Sequence, residues 1–223
     1  MQKELRELDV EEEPTFRKIG MGPWKEEFPG KDPDDSRFDP ELLEEGDRRN
    51  VLDRYRYWSV EAIREDLDKR GWSDLEIACE NWTHDFNIGS MVRSANAFGA
   101  RGVHIIGPHK WNRKGSLMTE VYERVYQDSS IGDLVSYAKN SPFKPHLIAV
   151  DNVEGSVPIE TFSFPPSCIL IFGSEATGLS KEALSAAEAT VYIEQRGSVR
   201  SINAAAAAAI AMYAYSVCIE KEA

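Results

Sequence analysis

Alternation between short apolar runs and segments of helical spacing constrains this chain more than any other feature. Apolar runs at 75–79, 103–107, 146–151, 168–173 and 191–193 are mostly separated by segments at 88–98, 131–139, 180–188 and 203–219 that carry helical patterns. Apolar strands alternating with helices predict an α/β fold: a mostly parallel sheet covered by helices on both faces. In such sheets ligands sit beyond the carboxyl ends of the strands.

The chain has 223 residues, 42% of them hydrophobic, enough for one domain with a real core and an extension. Up to Asp47 it is rich in acid, proline and glycine without a sustained apolar period, which predicts an irregular N-terminal extension over 1–47. A helical segment follows over 48–72, in which Ser59 is placed to cap a helix with Val60, Ile63 and Leu67 on one face and Gly71 at its end. It is expected to pack on a main domain spanning 73–223. Residues 1–47 hold 7 Lys/Arg and 16 Asp/Glu, so they carry −9 of the formal −12 charge and leave the remainder at only −3. Local basic patches, and with them a nucleic-acid partner, therefore stay open.

The longest apolar run, near 204–215, is mostly alanine and too short to span a bilayer, and the N-terminus lacks the apolar stretch of a signal peptide. A cytoplasmic protein without a membrane partner is expected. Cys79, Cys168 and Cys218 are odd in number, far apart and set among apolar neighbours, which favours buried free thiols over disulfides or a metal site; no metal is expected.

Three stretches carry candidate chemistry. In 81–99, Ile88, Met91, Val92, Ala95 and Phe98 share one helical face, Asn87 stands where an N-cap belongs, and Arg93 lies on the exposed side of a helix that follows a strand. By position alone Arg93 is either a solvated charge or a group at the ligand edge of the sheet. In 107–115, Lys110, Arg113 and Lys114 surround Trp111, an arrangement suited to phosphates and an unpaired base and equally to a solvated basic turn. In 167–203, two glycine-bearing loops follow strands, and an alanine-rich helix comes next, whose small residues permit close packing within the domain or across a dimer interface.

These stretches carry a family resemblance. Asn-Ile-Gly-Ser-Met-Val-Arg-Ser-Ala-Asn-Ala-Phe-Gly (87–99) resembles the first motif of the SpoU-type, or TrmH-like, RNA ribose methyltransferases of the SPOUT superfamily. Ile-Phe-Gly-Ser-Glu-Ala-Thr-Gly-Leu-Ser (171–180) resembles the second, and Ile193 through Ser201-Ile-Asn203 into the alanine helix resembles the third. The resemblance implies a C-terminal deep trefoil knot, a homodimer, and S-adenosylmethionine bound in the knot loops. Carried over residue by residue, the cofactor contacts fall on Gly173, Ile193 and Ile202, with Phe172, Glu194 and Gln195 beside them. The catalytic group falls on Arg93, with Asn87, Ser201 and Asn203 as positioning groups and Glu175 as a supporting acid. Glu194 stands where the family usually has proline, and Ile202 where it has leucine. The Glu194 carboxylate is accordingly a candidate partner for the cofactor's sulfonium or a ribose hydroxyl.

The implied reaction transfers a methyl group to a ribose 2′-hydroxyl of tRNA or rRNA. Lowering a guanidinium pKa from about 13 to about 7 costs roughly 8 kcal/mol, so Arg93 is read as a cation that stabilises the developing alkoxide and anchors a phosphate rather than as a general base. The basic loop at Lys110, Trp111, Arg113 and Lys114, together with Arg196 and Arg200, is expected to grip the RNA. Two other readings keep the fold: methylation of a base nitrogen, and a non-catalytic RNA-binding module.

Overall fold

A computed structural model describes residues 20–81, 87–174 and 177–222, with side chains to residue 220. The chain divides into two compact units, Met1–Ser59 and Val60–Ala223. The division differs from the expected boundaries at 47 and 72. Residues 48–59 belong to the first unit, and the helix after them belongs to the second.

The first unit is not irregular over its described part. It contains short helices α1 (Trp24–Glu27) and α2 (Pro40–Glu45), the latter capped by Asp39 through the Glu41 N–H. Trp24 packs against Phe28, Phe38 and Tyr57 with ring centroids 4.3, 5.2 and 5.4 Å away. The buried Asp47 carboxylate holds the unit together: it accepts the Tyr57 N–H at 2.9 Å and Arg49 Nη2 at 2.8 Å. Burial pushes the Asp47 pKa up, but the bonds from Arg49 and Tyr57 outweigh burial and hold it below the usual carboxylate range. The aromatic residues are too widely spaced along the chain to give a period, which is why composition alone suggested an irregular segment.

The second unit begins with α3 (Val60–Arg70), which ends, as expected, at Gly71 with φ +87°. Seven strands follow among the described residues: β1 (Leu75–Glu80), β2 (Gly102–Ile106), β3 (Val125–Asp128), β4 (His146–Val150), β5 (Val157–Pro158), β6 (Cys168–Phe172) and β7 (Ala189–Tyr192). They pair in the order β3-β2-β1-β6-β4-β7-β5, and every pairing is parallel. The five expected strands are all present. Sequence patterning missed β3, an edge strand of mixed polarity, and β5, two residues containing proline, because neither has an apolar run.

Alternate residues of the central strands face opposite sides. On one side Ile77, Cys79, Cys168, Leu170 and Phe172 meet α4 (Ile88–Ala97) and α7 (Ala204–Glu222). On the other, Ala78, Ile169 and Ile171 meet α5 (Ile131–Asn140) and α6 (Lys181–Ala186). Ser130 and Asp133 form a capping box on α5, and Ser180 caps α6 through the Ala183 N–H. Cys79 and Cys168 are buried free thiols, and Cys218 is only partly buried.

Two buried polar sites accompany this core. Glu76 accepts Arg101 Nε at 2.8 Å and lies 3.0 Å from His104 Nε2, while His104 Nδ1 lies 2.7 Å from Asp128. Burial disfavours the His104 charge, but its two carboxylate neighbours hold its pKa above the ordinary value. This chain of charges ties β1, β2 and β3 together.

The second site is Glu123, where burial pushes the carboxyl up to about 8 against bonds from the Arg124 N–H and Asn96 Nδ2. A raised folded pKa contributes stability that is fully present below the unfolded value of about 4.3 and is lost as pH rises toward 8. Glu123→Gln is therefore expected to melt higher than the wild type at pH 8 and to match it near pH 4. Thermal melts across that range check this; parallel melting curves would contradict it.

Candidate active site

The carboxyl ends of β4, β6 and β7 meet at a cleft of about 480 Å³. Its walls come from three segments: Val150, Asp151 and Asn152 after β4; Phe172, Gly173, Ser174 and Gly178 around the loop after β6; and Tyr192, Ile193, Gln195 and 200–204 between β7 and α7. The sheet topology produces this, because β6 lies between β1 and β4 and directs the loop that follows it to the centre of the ligand edge.

The loop after β6 is held from beneath. Asp151 Oδ2 accepts the Leu179 N–H at 3.0 Å, and the buried Glu80 at the end of β1 accepts the Ser180 N–H at 2.8 Å. Gly178 takes φ +68° and donates its N–H to the Ser174 carbonyl at 2.9 Å. The folded-back loop presses on Gly173. A Cβ there would lie 2.1 Å from Gly178 C and 2.3 Å from Leu179 N, so only glycine fits.

The segment between β7 and α7 closes the other side. Asn203 Oδ1 accepts the Ala206 N–H at 3.1 Å in the first turn of α7, while its Nδ2 donates to Asn87 Oδ1 at 2.7 Å. Asn87 occupies the N-cap position of α4 but makes no side-chain capping bond, so its bond to Asn203 replaces the cap expected from sequence. This bond crosses 116 positions and fastens the start of α4 to the rim of the cleft.

The structure brings together at the cleft Phe172, Gly173, Ile193, Gln195, Arg200, Ser201, Ile202 and Asn203. It does not bring Glu194 or Arg196 into the lining. They pair with each other at 3.0 Å, both with exposed side chains, so the Glu194 carboxylate is turned to a neighbouring cation rather than to the cleft. Arg93 is exposed on α4, outside the lining, and has no hydrogen-bond or ion-pair partner among the described residues. Glu175 lies outside the described residues. Asp151, Asn152 and Ser174 line the cleft and were not singled out from sequence; polar residues directly after an apolar strand run were the available signal.

In the basic loop Lys110, Arg113 and Lys114 are exposed, whereas Trp111 is partly buried against the core on the α4 side. Its indole is thus largely used for packing, with the Arg113 guanidinium 5.7 Å from the ring.

The cleft suits a nucleoside-bearing ligand. Its volume falls in the range of small-molecule sites, and Phe172, Ile193 and Ile202 give apolar walls among exposed backbone groups. Gln195 Oε1 is buried with no hydrogen-bond partner among the described residues, an acceptor that a bound amine would satisfy. Asp151 adds a carboxylate. Among the described residues no cluster of His, Cys, Asp and Glu is arranged to hold a metal ion, and no helix is long and apolar enough to cross a membrane.

Known proteins resemble this chain in sequence and fold. The tRNA (guanosine(18)-2′-O)-methyltransferase of Escherichia coli strain K12 is 28% identical over 144 residues, covering 63% of this chain and 62% of that protein. The 23S rRNA (uridine(2479)-2′-O)-methyltransferase of Streptomyces viridochromogenes is 29% identical over 184 residues, covering 78% of this chain and 64% of that protein. The chain thus spans less than two thirds of the length of these relatives. The crystal structure of the SpoU methyltransferase AviRb from Streptomyces viridochromogenes superimposes with a TM-score of 0.59 at 28% identity, covering 70% of this chain and 65% of that one. The same protein in complex with AdoMet gives 0.58 at 25% identity, covering 69% and 60%. The pattern of the SpoU rRNA Methylase family matches residues 74–213, which take in the parallel sheet, α4, the loop over Gly173 and the first half of α7. On that match the chain belongs to the SpoU rRNA methylase family.

Proposed function

We propose that the protein is an S-adenosylmethionine-dependent RNA methyltransferase acting on a ribose 2′-hydroxyl of tRNA or rRNA. The observation that carries this reading is the cleft beyond β4, β6 and β7, where Gly173 is fixed by close backbone contact and Gln195 Oε1 is buried without a partner among the described residues. The relatives named for 2′-O-methylation of tRNA and rRNA and the AdoMet-bound neighbour support it.

When bound, the cofactor supplies an activated methyl group and its own leaving group. The chain's residues do the rest. Phe172, Ile193 and Ile202 would wall an adenine, Gln195 Oε1 would accept from its amine, and backbone groups around Gly173 would approach it closely. Ser201 and Asn203, on the cleft, orient the ribose hydroxyl, and Asn87 holds Asn203 in place. Arg93, with no ion-pair partner among the described residues, meets the phosphate beside the target ribose and stabilises the developing alkoxide, whose proton passes to phosphate or water. Arg200 adds positive charge at the mouth.

The reading extends to the family's trefoil knot, to a cytoplasmic location and to a homodimer, the last supported by the exposed Ile210 and Tyr213 on α7. Calorimetric titration with S-adenosylmethionine tests the cofactor assignment. Saturable binding at a 1:1 ratio per chain is expected, and absence of binding at millimolar cofactor would leave a non-catalytic RNA-binding module.

A further inference from the structure

The segment between β2 and β3 carries a feature that the cleft does not use. Leu117 and Met118 are consecutive residues in the left-handed region, with φ of 48° and 65°, and they are 53% and 60% exposed. Side-chain-bearing residues rarely adopt this backbone, and two large apolar ones in succession oppose both local conformational preference and burial. The turn is fixed from both sides. Ser116 and Thr119 are buried, and the single Ser116 hydroxyl proton faces two acceptors, the Arg113 carbonyl at 2.6 Å and the Glu120 carboxylate.

Its base is fixed to the catalytic helix. A Cβ on Gly89 of α4 would lie 2.9 Å from Asn112 O and Gly115 Cα, and one on Gly115 would lie 2.9 Å from Ser90 N. The two backbones are in contact, so the turn keeps a set position relative to the helix that bears Arg93. Lys110, Arg113 and Lys114 are exposed in the same loop, and no acidic residue stands between His109 and Met118.

We propose that Leu117 and Met118 form an apolar wedge that enters between unpaired bases of the RNA, with Arg113 and Lys114 on the flanking phosphates. Positive charge beside an exposed apolar tip matches a polyanion whose bases offer apolar faces. Trp111 is partly buried and packs against the core, so the exposed tip is better placed to make the base contact. The proposal rests on the RNA-methylation reading above and specifies how the substrate is held.

The test uses the double variant Leu117→Asn with Met118→Asn, because asparagine tolerates the left-handed backbone while removing the apolar surface. Binding of bulk tRNA and of total ribosomal RNA is measured over a range of salt. The variant is expected to bind about tenfold more weakly than wild type, with the same slope of log affinity against log salt and unchanged cofactor titration. Arg113→Ala with Lys114→Ala is expected to flatten that slope instead. Wild-type RNA affinity in the double asparagine variant would overturn the wedge. So would a change in sedimentation, which would assign the patch to a second copy of the chain. Failure of the wild type to bind either RNA would remove the RNA reading itself, a result distinct from both.

Discussion

Gly173→Ala is expected to lower affinity for S-adenosylmethionine by about 100-fold or more and to destabilise the fold by about 1–3 kcal/mol. The added methyl would stand 2.1 Å from Gly178 C, 2.3 Å from Leu179 N and 2.4 Å from Gly178 O. All three are backbone atoms, so no rotamer change relieves the overlap. The loop must move, and it is held by Asp151 through Leu179 and by Glu80 through Ser180. Displacing it either breaks bonds to those carboxylates, one of which is fully buried, or closes the cleft. Calorimetric titration beside a thermal melt checks both effects. Wild-type affinity in the variant would mean that Gly173 is only a turn residue.

Arg93→Ala is expected to behave in the opposite way. Arg93 is exposed and lies outside the cleft lining, so cofactor binding and melting temperature should stay near wild type, while single-turnover methyl transfer falls by about 100- to 1000-fold. Arg93→Lys should recover little of this, because lysine offers a point charge instead of a fork that engages phosphate and alkoxide together. Near-full turnover in Arg93→Lys would show that guanidinium geometry is irrelevant. A loss of cofactor affinity in Arg93→Ala would place the residue in the cofactor site and contradict its assigned role.

The contrast between these two residues reflects what the sequence made legible. Apolar runs and helical spacing were enough for the central strands and helices because burial on both faces of a parallel sheet leaves little choice of residue. Gly173, Ile193 and Ile202, which line the cleft, lie in the motifs that the resemblance rests on, and Gly173 is held there by close backbone approach. Asp151 and Glu80 were not. Their task is to accept N–H groups from Leu179 and Ser180, 28 and 100 positions away, and a carboxylate in such a role looks like any polar residue at the end of a strand.

The same reasoning covers Glu194, which was nominated because it replaces a proline. Its nearest cation is Arg196, two residues on, and a local ion pair satisfies it without the cleft. In the first unit, the Asp47–Arg49–Tyr57 bonds and the packing of Trp24 on Phe38 and Tyr57 arise from residues scattered through an acidic stretch, where no period announces them.

The chemistry of the proposed product offers the most direct measurement. RNA incubated with the protein and methyl-labelled S-adenosylmethionine would be digested with alkali, which cleaves through the 2′-hydroxyl. Label recovered in alkali-resistant dinucleotides is the result expected of ribose 2′-O-methylation. Label recovered only in mononucleotides would assign the methyl group to a base, and absence of label in RNA despite cofactor binding would contradict RNA methyl transfer altogether.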